Sequence, residues 1–189
     1  MSPTSASTPE RVYAALLPSQ LAQVLAAGSL PPGAPVHAVT PALREHYTDG
    51  DTEELELAAM LDAADSSLRL LSGAGGAGAG DAGGPTRRLV LAADVPAASV
   101  RPRPAASGDP AEALSRVELA EPLAVRAVVS AHVDERDAEP DVAAAARALP
   151  AADAGDDDAS FAVDGAQGHD LLWYDATELA ELADELTGP

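Results

Sequence analysis

Large apolar side chains are scarce in this chain, and their scarcity limits the fold it can adopt. Hydrophobic residues make up 47% of the 189 residues, but much of that share is alanine and only 3% are aromatic. Each core position therefore buries less apolar area than a core of leucine and phenylalanine would. The length suits one domain with a modest core. We predict a globular domain over residues 11–187, a disordered tail over residues 1–10, and flexible loops over residues 73–86 and 101–115.

The charge of the chain narrows the kinds of partner it can have. The formal net charge is −20, from 31 acidic and 11 basic residues, and the isoelectric point is near 4.2. Such a surface repels phosphate backbones and anionic lipid headgroups. We therefore expect no nucleic acid and no membrane surface among the partners, which leaves an unidentified protein or small molecule.

Missing residue types indicate the compartment and the source. Cysteine is absent, which excludes disulfides, thiolate nucleophiles and thiolate-ligated metal centres. Lysine, isoleucine and asparagine are also absent, and this bias is typical of a GC-rich bacterial genome. The first ten residues lack the basic start and apolar core of a signal peptide. The sequence therefore predicts a cytoplasmic location.

Strand-like and helix-like segments follow one another along the chain. Apolar runs predict strands at residues 11–16, 36–39, 87–94, 116–119, 127–133 and 171–174. Capping residues, first-turn prolines and apolar faces predict helices at residues 18–27, 41–47, 51–73, 140–149 and 175–186. Residues 160–167 favour a helix over a strand, and residues 151–159 form an acidic loop. The pattern predicts a single α/β or α+β domain, with a mixed sheet of about five or six strands packed by about five helices.

The longest predicted helix begins at a capping box formed by Asp51 and Glu54. Apolar residues then recur at spacings of three and four, which predicts a stripe facing the core. The stripe consists of Leu57, Leu61, Ala64, Leu68 and Leu71. The glycine-rich segment that follows resembles a GxGxxG motif, but it follows a helix instead of a strand, so we expect it only to connect two elements.

Histidines and carboxylates at the ends of predicted strands are the candidate catalytic residues. They are His37, Arg44, His132, Asp134, His169 and Asp170. Imidazoles beside carboxylates could bind a divalent metal or share a proton. The alternative is that the histidines are partly buried and hydrogen-bonded to neighbours. No HExxH, EF-hand, P-loop or GxSxG motif is present, so the sequence predicts neither a metal site nor a cofactor site.

Two further features each have a structural and a functional interpretation. Arg87 and Arg88 could hold a phosphate, although arginines in this position more often simply flank a strand. Trp173 and Tyr174 stand out because aromatic residues are so rare here. We expect them to anchor the last strand in the core, and an exposed docking patch is the alternative.

Several phrases of the sequence carry a family resemblance. They are residues 41–47 (PALREHY), 51–56 (DTEELE), 132–134 (HVD) with 138–142 (AEPDV), and 168–175 (GHDLLWYD). With them the chain resembles a family of uncharacterised actinobacterial proteins, a domain of unknown function, over most of residues 12–186. The resemblance implies a source and a compartment but no activity. The order of elements is also similar to small ADP-ribosyltransferase-like proteins, whose NAD-binding Arg or His, Tyr and Glu residues have no match here.

Three hypotheses about function follow from the sequence. The favoured one is a non-enzymatic binding or interaction protein, because no catalytic constellation stands out from ordinary structural roles. The second is a small-molecule or nucleotide-binding enzyme, which requires the six candidate residues to converge in one cleft. The third is an acidic regulator that mimics nucleic acid and sequesters a basic partner.

Overall fold

The computed structural model describes residues 9–47, 50–74, 85–103 and 114–187. The first eight residues of the predicted tail and most of the two predicted loops lie outside these ranges. The described strands are β1 (Pro9–Leu16), β2 (Val36–Ala38), β3 (Leu89–Pro96), β4 (Val100–Pro102), β5 (Arg116–Leu119), β6 (Val128–Asp134) and β7 (Leu171–Asp175). The described helices are α1 (Leu21–Ala27), α2 (Pro41–His46), α3 (Thr52–Ala74), α4 (Glu139–Asp153), α5 (Asp157–Gln167) and α6 (Leu179–Thr187).

One sheet organises the fold, with the strand order β4-β5-β2-β1-β3-β6-β7. The predicted α/β single-domain class is confirmed. The expected mixed sheet is corrected, since every pairing among the described strands is antiparallel and the strands number seven. Two helices, α4 and α5, connect β6 to β7, and β7 runs antiparallel to β6. A single crossover helix would have made these two strands parallel.

Helices begin where the capping residues indicate. The Thr40 hydroxyl accepts a hydrogen bond from the amide of Leu43 at 3.1 Å. The Asp51 carboxylate accepts from the amide of Glu54 at 3.0 Å, and the Glu54 carboxylate accepts from the amide of Asp51 at 3.1 Å. Each bond satisfies a helix-terminal amide that has no partner within the helix. These short-range signals therefore located α2 and α3 correctly.

The two faces of the sheet carry different layers. One face, which we call the α6 face, packs against α1 and α6 and holds the largest buried cluster, including Val12, Leu91, Val133 and all four predicted inward residues of α6. The other, the α3 face, packs against α2 and α3. The predicted face of α6 is thereby confirmed: Leu179, Leu182, Ala183 and Leu186 are buried.

The apolar stripe predicted for α3 is buried in part. Ala64 packs against the sheet together with Leu55, Ala59 and Ala63. Leu68 and Leu71 are buried in a second cluster with residues of α4 and α5, while Leu57 and Leu61 are 52% and 47% exposed. The prediction is therefore confirmed for Ala64, Leu68 and Leu71 and wrong for Leu57 and Leu61. The reason is that α3 packs against two layers, the sheet and α4, so its buried residues do not follow a single stripe.

The acidic segment at residues 151–159 was expected to be a loop and is mostly helical. α4 continues to Asp153, and α5 begins at Asp157 after the carboxylate of Asp156 accepts a hydrogen bond from the amide of Ala159 at 2.9 Å. Aspartate is favourable at a helix start because its carboxylate accepts hydrogen bonds from nearby backbone amides. The same hydrogen bonds make aspartate common in loops, so the sequence pattern resembles a loop. The expected helix over residues 160–167 is confirmed as part of α5. No helix in the described residues is long and apolar enough to cross a membrane.

Candidate functional site

The six residues predicted as a catalytic site do not converge. His37 on β2 and His132 on β6 both lie on the α3 face, but β1 and β3 stand between their strands. Three strand spacings separate them by roughly 14 Å. His169 precedes β7, and Arg44 is exposed on α2. Among the described residues no group of three or more metal-ligating side chains could hold a metal ion.

His37 belongs to a buried polar network beneath α3. Its Nδ1 lies 2.8 Å from the Ser115 hydroxyl, and its Nε2 lies 2.8 Å from the Ser66 hydroxyl. Ser115 donates to the Asp62 carboxylate at 2.6 Å. Burial, together with the charge of Arg116, lowers the pKa of His37 to about 3, so the ring is neutral at pH 7. Ser115 then accepts from Nδ1–H while Ser66 donates to Nε2, and every polar atom is satisfied without a ligand.

Asp134 is not available as a metal ligand or a base. It is fully buried, and Arg88 binds its carboxylate through Nη2 at 2.7 Å and through its backbone amide at 2.6 Å. Arg87 donates to the Asp134 carbonyl oxygen and reaches Glu185 of α6 at 2.8 Å. The two arginines therefore join β3, β6 and α6. Both are ion-paired within the protein, which removes the basis for a phosphate site.

His169 and Asp170 lie at the start of β7. His169 Nε2 lies 2.8 Å from the Asp141 carboxylate of α4, and the His169 carbonyl oxygen accepts from Arg88 at 3.1 Å. These contacts hold the turn into β7 against α4. Asp170 is exposed and directly precedes the strand. His169 is thus a partly buried histidine hydrogen-bonded to a neighbour, as the structural alternative predicts.

A pocket of about 360 Å³ opens at the opposite end of the sheet, beside β2 and β5. Residues 30–34 and 116–123 contribute most of its lining. None of the six predicted site residues lines it. The pocket therefore gives no support to a catalytic role for those residues.

The strongest surface feature is β7, which forms one edge of the sheet. Trp173 is 60% exposed and Leu172 is 43% exposed, so the expectation that Trp173 anchors the core is wrong. Tyr174 packs against the cluster on the α6 face and Leu171 against the cluster on the α3 face. The described residues cover the α3 face of β7 only in part, which leaves the indole of Trp173 largely exposed. The alternative interpretation, an exposed patch at Trp173, agrees with this geometry.

The register of β7 shows which backbone groups face outward. The Asp134 amide donates to the Arg88 carbonyl, so the backbone of Asp134 points toward β3. Its partner across the ladder, Leu171, therefore points away from β6, and alternation gives Trp173 the same direction. The Asp175 amide also points outward, where the Glu178 carboxylate accepts its hydrogen bond at 2.7 Å. The amides and carbonyls of Leu171 and Trp173 thus point to the side of β7 on which the described residues form no further strand.

The opposite edge of the sheet is protected. β4 is three residues long and ends in Pro102, which has no amide hydrogen to donate. Short strands and proline are the usual devices that prevent an edge from pairing with another chain. β7 has five residues without proline, and its ladder with β6 is continuous from Leu171 to Asp175. The two edges therefore differ in their ability to accept another strand.

His132 lies beside Trp173 on the α3 face. The two residues are directly opposite each other in the β6–β7 ladder, and the His132 Nε2 lies 3.3 Å from the Ser130 hydroxyl. Burial, with a smaller effect from Arg11, lowers the pKa of His132, so its ring is neutral at pH 7. Two uncharged ring side chains thus lie opposite each other in the last two strands on this face.

Fold and surface together define an acidic α/β protein with one antiparallel sheet, in which no described strand lies beyond β7. The chain belongs to a family of unknown function, DUF6912, whose model matches residues 10–183. The predicted membership in an uncharacterised domain family is confirmed, and its actinobacterial origin stays a prediction. The comparisons with curated proteins and with solved structures give no match, so the likeness to ADP-ribosyltransferases also stays a prediction.

Proposed function

We propose that the protein is a non-enzymatic binding protein and that β7 accepts an extended segment of a partner protein as an additional antiparallel strand. The observation that supports it is the unprotected β7 edge, with outward amides at Leu171 and Trp173 and an indole that is 60% exposed. In strand addition the main chain supplies affinity, while side chains on alternate positions supply specificity. We also propose that the protein is located in the cytoplasm and that its source is an actinobacterium.

The occupant is a different protein and not a second copy. Each copy carries a net charge of −20, which opposes self-association. Two registers centre one β7 strand on a second β7 strand. In both, Asp170 of one copy would lie one residue away from the residue that is opposite Asp175 of the other copy. An offset of one residue places the two carboxylates on opposite faces of the sheet, so the main obstacle to self-pairing is the net charge of the two copies. A partner without this acidity avoids the repulsion.

A peptide titration followed by NMR tests the proposal. The probe is a short peptide of alternating valine and threonine with glutamine at both ends, and the control is the same peptide N-methylated at alternate amides. We expect the unmodified peptide to bind with an affinity on the order of 10–100 µM, because only a few main-chain hydrogen bonds form. Amide shifts should concentrate at Leu171 and Trp173. Equal binding of the methylated peptide, or shifts confined to another surface, would overturn strand addition.

Two aromatic variants provide a matched comparison. Trp173→Ala removes the indole at the edge, whereas Phe161→Ala removes an aromatic ring that is 80% exposed on α5. We expect Trp173→Ala to weaken binding at least about tenfold, as is usual for an aromatic anchor at an interface. Phe161→Ala should leave the affinity unchanged. If the two variants weaken binding equally, the effect comes from general surface hydrophobicity and not from β7.

A further inference from the structure

The charges around the β7 edge specify the chemistry of the segment that it binds. Four apolar residues, Leu171 to Tyr174, lie between Asp170 and Asp175. Asp170 is exposed, and the Asp175 carboxylate accepts hydrogen bonds from the amide and the hydroxyl of Thr177. These bonds lower the pKa of Asp175, so its negative charge persists at neutral and mildly acidic pH. The edge is thus an apolar strand with Asp170 at one end and the carboxylates of Asp175 and Glu178 at the other.

We infer that the partner segment is a cationic one, with an apolar centre and two basic residues placed five positions apart, opposite Asp170 and Asp175. This inference rests on the proposed strand addition and names the class of partner that uses it. The spacing follows from the ladder, because residues of an antiparallel pair match one to one. An odd separation also places the two carboxylates on opposite faces of the sheet, so the two basic side chains would extend to opposite faces as well.

The register allows only a short ladder. The Asp175 amide is already occupied by Glu178. A partner can therefore exchange main-chain hydrogen bonds with Leu171 and Trp173, whose outward groups are two residues apart. The partner residue opposite Trp173 lies beside the indole on the α3 face, and the next residue lies opposite Leu172 on the α6 face. A basic side chain near Trp173 also gains from the electron-rich face of the indole.

The overall acidity favours the same partner over a long range. A chain of net charge −20 attracts a basic segment before contact and raises its association rate at low ionic strength. This general attraction does not depend on the spacing between the basic residues, whereas pairing across the ladder does. The experiment separates these two contributions.

The test compares three peptides that differ only at the two flanking positions, with arginine, glutamine or glutamate. Their centre is the valine–threonine repeat of the first experiment. We expect the arginine peptide to bind about tenfold more tightly than the glutamine peptide at low salt, and the glutamate peptide more weakly than either. Physiological salt should reduce the advantage of arginine. If the glutamine and arginine peptides bind β7 equally, the charge inference fails while strand addition stands. If none of the three binds, both fail.

Two acid-neutralising variants distinguish local pairing from overall charge. Asp170→Asn and Glu118→Gln each remove one negative charge, but Glu118 lies on β5 near the other end of the sheet. We expect Asp170→Asn to weaken the arginine peptide about threefold or more and Glu118→Gln to leave its affinity unchanged. Equal weakening by both variants, or an unchanged affinity when the arginines are moved to a spacing of three, would overturn the register-specific pairing.

Discussion

Acid should destabilise this protein through His37. The side chain is 1% exposed, and burial lowers its pKa from 6.5 to about 3. In the unfolded chain the ring takes up a proton near pH 6.5, while the folded ring stays neutral until about pH 3. The contribution of His37 to stability is therefore fully present above pH 6.5, decreases as the pH falls below it, and is lost by about pH 3.

The magnitude follows from the shift. Each pKa unit is worth about 1.4 kcal/mol, so the full shift corresponds to roughly 5 kcal/mol, a large part of a typical folding free energy. Between pH 7.5 and pH 5 the expected loss from His37 is about 2 kcal/mol. Burial raises the pKa of Asp62 and Asp65, which acts in the opposite direction as the pH falls. A comparison with a variant removes these shared contributions.

The variant is His37→Gln, which keeps a polar side chain but does not titrate. Urea unfolding followed by circular dichroism, from pH 5 to pH 8, gives the free energy of unfolding of both proteins. At pH 8 the variant should be less stable by about 1–3 kcal/mol because hydrogen bonds to Ser66 and Ser115 are lost. The difference should shrink by about 2 kcal/mol at pH 5. Parallel pH profiles, or an NMR titration that places the pKa of His37 above about 5.5, would refute the argument.

Two further predictions concern stability. Arg88→Gln should lower the free energy of unfolding by about 3–5 kcal/mol, because Asp134 would keep a buried charge without its partner. Arg69→Gln, which removes an exposed ion pair, should cost less than about 1 kcal/mol. A similar loss of stability for both variants in thermal melts would contradict this ranking. Trp173→Ala should change the free energy of unfolding by less than about 1 kcal/mol, whereas Leu182→Ala, at 1% exposure, should cost about 2–5 kcal/mol. A large destabilisation by Trp173→Ala in urea unfolding would place the indole in the core.

Local signals predicted most of the elements, whereas packing partners were harder to predict. A capping threonine at residue 40 and the boxes at residues 51 and 175 act within one turn of helix, so the sequence alone contains both partners. The stripe on α3 depends on how many layers touch the helix, and that number is set by distant segments. Leu57 was therefore assigned to the core although it is exposed. The antiparallel sheet was missed for the same reason.

The candidate site could not be predicted because strand order decides which residues meet. His37 and His132 lie in similar sequence contexts, yet β1 and β3 separate the strands that carry them. The buried partners of His37, Ser66 and Ser115, come from segments with no recognisable motif. The exposure of Trp173 depends on β7 being at an edge, which its apolar sequence does not reveal. The scarcity of aromatics was the one available signal, and it pointed to the correct residue with the wrong environment.

The position of α6 affects the order in which the core can form during synthesis. β1 lies in the middle of the sheet, and its residues Val12, Ala14 and Leu16 share a core cluster with Leu182 and Leu186 of α6. Synthesis proceeds from the N-terminus, so the apolar side chains of β1 wait for a helix that begins at residue 179. Until α6 has been synthesised, the part of the β1 face that it covers lacks this helix, although α1, which follows β1 directly, can already pack on the same face.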